Sequence, residues 1–179
     1  MICYNCKKAK PIFLPNISFV PYEKNIERLK SIFVFYQYKA PTIQSSKSIQ
    51  KPKLSCVKVF NEFLKREKIE FKIIGQSSKI SKHLEPLNLN GYHVCLKCSR
   101  FVAKRKNAKD GIIEEGYETF LRHMRNSIAH GNVYGFFEKN QTYLVFDDYS
   151  TENKQALTAR IVISKAQLER LQKEIINIT

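Results

Sequence analysis

At 179 residues, 43% hydrophobic and 12% aromatic with nine Tyr and twelve Phe, the sequence is not that of a disordered chain and is long enough to bury a core in one domain. Its 31 Lys and Arg against 16 Asp and Glu give a formal charge of +15 and a pI of about 9.7. That excess favours a polyanionic partner, nucleic acid before an anionic membrane surface, over a surface that is merely solvated. No apolar run reaches bilayer length and "MICYNCKKAK" lacks the apolar core of a signal peptide, so the expected setting is the cytosol, with the five cysteines reduced.

In "NIERLKSIFVFYQYKA", Ile26, Leu29, Ile32, Phe33 and Tyr36 recur at helical spacing, although the aromatic second half also fits a strand. "APTIQSSKSIQKPK", rich in Ser, Lys and Pro, predicts a mobile basic loop. Leu54, Val57, Phe60, Phe63 and Leu64 then form an apolar stripe opposite Lys58, Lys65, Arg66 and Lys68, which predicts a helix. "GQSSKISKHLEPLNLNG" is broken by Pro86 and its glycines and suggests one short helix between loops. From His93 to Asn107 the spacing of Val94, Cys95, Cys98, Phe101 and Val102 predicts another helix, closed by the basic "KRKNAKDG". The helix over residues 115–130 carries the clearest periodicity. After it the period falls to two: "VYGFFEKNQTYLVFDDYS" predicts a hairpin turning at "EKNQ", and "ALTARIVIS" a third strand. Ser164 and Gln167 form a capping box for a closing helix with Leu168, Leu171 and Ile175 on one face. The expected class is mainly α, an α+β chain with helices first and a small antiparallel sheet late.

"ETFLRHMRNSIAHGN" (residues 118–132) raises the question of function. Wound at about 100° per residue, it gathers Tyr117, Leu121, Met124 and Ile128 on one arc and Arg125, Arg122, Asn126, His130 and His123 on the opposite one. Gly131 follows as the natural C-terminal cap. Amphipathic helices commonly have a solvated polar face, but such a face usually mixes Glu with Lys, and here no acid stands between Thr119 and His130. "RNSIAHG" resembles the signature of the HEPN superfamily: an Arg, a polar residue directly after it, a short spacer, then a His. Arg125, Asn126 and His130 match it one by one. The flanking helix and the strands ending in "FDDY" resemble small bacterial HEPN proteins of plasmids and defence loci, and residues 114–150 carry the likeness.

The resemblance implies an antiparallel helix bundle that dimerises and brings two Arg-His motifs to one cleft. It implies a metal-independent endoribonuclease, with Arg125, Asn126 and His130 catalytic. RNA supplies its own nucleophile in the 2′-OH, so a His near neutral pKa can move the proton and an Arg can hold the phosphorane charge. Arg122, His123, Lys104, Arg105 and Lys106 are the candidate substrate contacts, with His123 a candidate second imidazole. The whole of 1–179 reads as a single HEPN-like domain: 1–53 an N-terminal helix and basic loop, 54–131 the helical core with the motif, 132–179 the hairpin, strand and closing helix. The expected partners are RNA, a second copy of the chain and a restraining protein such as an antitoxin, with no membrane.

Cys3, Cys6, Cys95 and Cys98 form two C-x-x-C pairs, the arithmetic of a Cys₄ zinc site. The long gap between the pairs, and the apolar setting of Cys95 and Cys98, favour core cysteines over a structural zinc. Cys56 also reads as core, and His83 and His93 have no motif partner. No cofactor is expected. Two rival readings stand beside the nuclease: a catalytically silent HEPN fold that binds RNA or protein, and a zinc-stabilised nucleic-acid-binding adaptor. Walker-type, H-E-x-x-H and nucleophile-elbow motifs are missing from the sequence.

Overall fold

Strand β6 (Gln141–Tyr149) is paired along both edges and covered on both faces, which explains why Leu144 through Asp148 are buried without a break. The computed structural model describes residues 12–14, 29–40, 54–73, 92–94, 96, 100–104, 111–150 and 157–178. Along β6, Leu144 and Phe146 join the main core under the helices, while Val145 joins a smaller cluster on the opposite face. Strand β5 (Val133–Glu138) returns to β6 through Lys139 and Asn140, whose φ values of 50° and 59° suit the twist of a two-residue hairpin. The expected turn at "EKNQ" is therefore in place.

On the other edge of β6 lies β7 (Leu157–Ser164), then β4 (Arg100–Lys104), then β2 (Glu70–Ile73), giving the order β2-β4-β7-β6-β5. Only β2 and β4 pair parallel within this sheet. Strands β1 (Ile12–Leu14) and β3 (Tyr92–Val94) form a separate antiparallel pair, and Val94 packs with Val145 and Val162 on the face away from the helices. Among the described residues the sheet is thus five-stranded, larger than the three-stranded element expected, and the fold is α+β.

The helices share the other face. Helix α1 covers residues 29–34 and runs on as a π-helical turn, Phe35–Lys39, closed by Ala40 N–H on Phe35 O at 2.7 Å. The widened turn carries the aromatic stretch that also fitted a strand: Phe35 and Tyr36 are buried edge to face, and Tyr36 Oη donates to Leu168 O at 2.9 Å. Helix α2 (Leu54–Arg66) packs across α3 (Gly116–Ala129) and α4 (Lys165–Ile176), and these two lie on the sheet. All three match the expected helices. The Ser164 box is formed, with Ser164 N–H on Gln167 Oε1 at 2.8 Å and Gln167 N–H on Ser164 Oγ at 3.2 Å. Cys56 is buried in the core.

Where a helix was expected from His93 to Asn107, the described residues contribute strands β3 and β4 instead. Val102 and Ala103, consecutive along β4, are both fully buried because the strand is covered on both faces. Such a strand has no polar alternation, and its apolar run satisfies a helical count by coincidence. The basic loop after Ala40 and the short helix sought within 75–91 lie outside the described residues.

Candidate active site

Helix α3 stops in a way that fixes the geometry of its last turn. Gly131 takes φ of 69°, its N–H donates to Ile128 O at 3.1 Å, and Asn132 N–H donates to Ser127 O at 2.8 Å. This pair of bonds is a Schellman close, which only glycine enters without strain. His130 is the C-cap residue, its N–H on Asn126 O at 2.9 Å, and its side chain is exposed. Asn126 lies one turn earlier on the same side of the helix and is half-buried.

The reversal at Gly131 sends β5 away, and the hairpin register brings β6 back beside the helix end. Val133 pairs with Phe146, and Asp147 N–H donates to Asn132 O at 3.0 Å. The two acids of "FDDY" therefore arrive next to α3 and point to opposite faces, as strand geometry requires. Asp147 turns away and forms a fully buried bidentate pair with Arg160, Nε to Oδ1 at 2.9 Å and Nη2 to Oδ2 at 2.8 Å. Burial pushes its carboxyl above the usual range, and Arg160 pulls against that push. Asp148 turns toward α3. Its Oδ2 accepts from His123 Nδ1 at 2.7 Å and from Asn126 Nδ2 at 3.0 Å.

Arg122 and His123 were expected on the substrate side, and here the structure corrects the sequence. Their side chains are 6% and 1% exposed. Arg122 forks onto Glu114, Nε to Oε1 at 2.8 Å and Nη2 to Oε2 at 2.7 Å, and also donates to Ala103 O at 3.0 Å. His123 Nε2 lies 2.9 Å from the same Ala103 O. Both neighbours of His123 are acceptors, so the ring is held at both nitrogens and is no second imidazole for substrate. The physical reason is that the polar arc of α3 faces the carbonyls of β4 and the carboxylates at 114 and 148, so half of it is consumed inside the fold.

Arg125 is half-buried, and burial lowers its pKa from the ordinary guanidinium value. Its Nε donates to Tyr36 O at 3.0 Å and its Nη2 to Ala40 O at 2.8 Å, which satisfies carbonyls at the C-terminal end of the π turn. Two of its five N–H groups are spent this way. Lys104 is half-buried with Nζ 5.0 Å above the Phe71 ring, and Arg105 and Lys106 lie outside the described residues.

Arg125, Asn126 and His130 thus lie in the last turn and cap of α3, Arg125 turned to the carbonyls of Tyr36 and Ala40 and Asn126 to Asp148. Arg122 and His123 are drawn from the surface onto Glu114, Asp148 and Ala103 O. The signal for Asp148 was present: an ionisable side chain in an apolar strand must find a partner. Nothing in the spacing said which. Among the described residues, no three His, Cys, Asp or Glu side chains cluster as metal ligands. Cys3, Cys6, Cys95 and Cys98 lie outside those residues. No described helix is long and apolar enough to cross a membrane.

No curated protein and no solved structure matches the chain. A family model described as HEPN pEK499 p136 matches residues 19–179, nearly the whole sequence. With the Arg-Asn-x₃-His motif at the end of α3, that match leads to one conclusion: the chain belongs to the HEPN pEK499 p136 family.

Proposed function

We propose that the chain is a metal-independent endoribonuclease that cleaves RNA by attack of the 2′-OH on the adjacent phosphate. The observation that carries this reading is His130, an exposed imidazole at the C-cap of α3, one turn after the held amide of Asn126 and in the same motif as Arg125. His130 transfers the proton, Arg125 uses its remaining N–H groups on the phosphate oxygens, and Asn126 orients the reacting ribose. Because His123 is held at both nitrogens, one copy offers a single available imidazole at this helix end. Acid and base then require two copies, so the active species is a homodimer with a composite cleft. The likeness to plasmid and defence-locus proteins supports a toxin or antiphage role, with a partner protein restraining the nuclease.

A second reading is a silent HEPN fold that binds RNA without cutting it. The donation of Arg125 to Tyr36 O and Ala40 O favours it, since part of the guanidinium is structural. Labelled total RNA incubated with the purified chain in EDTA separates the two. Cleavage to products ending in 2′,3′-cyclic phosphate, with an all-deoxy strand left intact, is the expected result. Products with a plain 5′-phosphate would sink the proposed chemistry, and RNA retained but uncut would leave the binding reading.

A further inference from the structure

The nuclease reading leaves open which end of the Asn126 amide meets the RNA, and the acid beside it decides the matter. An ionised carboxylate only accepts hydrogen bonds, so the end of Asn126 that faces Asp148 Oδ2, 3.0 Å away, is the Nδ2 end. The amide assignment follows from its network, as it must for any Asn. Asp148 cannot easily move to accommodate the alternative. It is 3% exposed, its backbone carbonyl accepts from Thr158 Oγ1 at 3.0 Å, and the same Oδ2 holds His123 Nδ1 at 2.7 Å. His123 is fixed in turn by Ala103 O at 2.9 Å. A chain of buried bonds therefore runs from the β4 backbone through His123 and Asp148 to a half-buried amide one turn before the exposed His130.

We propose that Asp148 is a positioning residue: by holding Nδ2 of Asn126 it turns Oδ1 outward, and that acceptor takes the O–H of the ribose 2′-hydroxyl. This rests on the endoribonuclease reading of the site. A phosphodiester oxygen is itself an acceptor and finds no donor in Oδ1, so contact with the phosphate falls to Arg125. The amide distinguishes ribose from deoxyribose, and the buried acid is the reason it does so.

The test uses the full-length chain carrying His130→Ala, so that bound RNA is not consumed, with oligouridylate and oligodeoxyuridylate as probes. The ribo strand is expected to bind roughly fivefold to tenfold more tightly, the worth of one hydrogen bond to a neutral acceptor. Adding Asp148→Leu, which leaves no acceptor for the Asn126 amide, should erase that preference while leaving affinity for the deoxy strand unchanged, a pattern that general loss of structure would not give. A ribose preference that survives in folded Asp148→Leu protein, or that is missing while Asp148 is present, overturns the proposal. Should Asp148→Leu fail to fold, the side-chain amide protons of Asn126 in the unsubstituted protein read the clamp directly. Slow exchange with water supports it, and exchange at the rate of a free amide overturns it. The cleavage assay in EDTA is read separately, so an uncut RNA would count against the nuclease chemistry, whereas an Asp148-dependent ribose preference would still stand.

Discussion

His130 is exposed at the end of α3, whereas Arg125 donates to the carbonyls of Tyr36 and Ala40, so replacing each has a different expected outcome. His130→Ala should lower RNA cleavage by about 10²- to 10⁴-fold, the worth of a positioned proton carrier, with no change in thermal midpoint. Arg125→Ala should lose cleavage and also about 1–3 kcal/mol of stability, because carbonyls at the end of α1 lose their donors. Kinetics and melting curves measured on the same preparations check both, and a wild-type rate in either variant would reject the site. His123→Gln belongs to a third class. It strips a buried carboxylate of its closest partner, so a loss of roughly 3–5 kcal/mol in urea unfolding is expected, with cleavage falling as folded protein and the Asp148 hold on Asn126 are lost. If His123→Gln kept full stability and lost only cleavage, the imidazole would be chemical after all.

Between elements, a phenol ties the π turn after α1 to α4, beside a bond from Gln172 Nε2 to Ser31 O at 3.4 Å. Tyr36 Oη donates to Leu168 O, and burial, with Glu174 adding to it, holds its pKa well above the ordinary 10.0. In α3, burial and then the neighbouring Glu118 push Tyr117 up to about 12, and burial and then Asp147 raise Tyr149 on β6. Unfolded, all three titrate near 10. The folded state therefore binds more protons across the window from about pH 10 to 12, and stability that is complete below it is lost as pH rises through it. The thermal midpoint should fall steeply over that window, with phenolate absorbance lagging behind free tyrosine until the chain unfolds. Tyr36→Phe should soften the fall and cost about 1 kcal/mol at neutral pH for the lost bond. Three helices, α2, α3 and α4, were legible in the sequence because each carries an apolar stripe at helical spacing, although only α2 and α4 leave the opposite face wet. Strand β4 was not, since Val102 and Ala103 are buried on successive, opposite faces.

For the molecule as a whole, the charge of +15 predicts that the proposed RNA binding is steeply salt-dependent. Each phosphate neutralised on a single strand contributes about −0.7 to the slope of log K against log salt. Replacing Lys104 or Lys106 by Gln should flatten the slope by roughly that amount if the residue contacts RNA. Arg122→Gln should leave the slope alone and destabilise the fold, because its guanidinium is already paired to Glu114 inside the protein. Sedimentation at micromolar concentration should give twice the 20.9 kDa chain mass for the active species. A monomer that cleaves RNA would remove the composite cleft and require a proton carrier other than His123.

The sequence alone determined what local periodicity and short motifs can encode. The amphipathic helices, the hairpin turning at Lys139 and Asn140, the Ser164 capping box and the Arg-Asn-x₃-His motif closed by Gly131 were all readable, because each rests on contacts within a few residues of itself. The tertiary structure decided which part of the polar arc of α3 meets solvent. Arg122 and His123 stand on that arc by any helical count, yet Ala103 O, Glu114 and Asp148 draw them inside. Those partners come from β4, from the approach to α3 and from the far strand of a hairpin, and only the sheet's register places them there. A helical wheel assigns a direction to each side chain, but whether water or a carboxylate waits in that direction is set by segments distant in sequence. For the same reason Asp148, invisible to motif spacing, is the residue that orients Asn126.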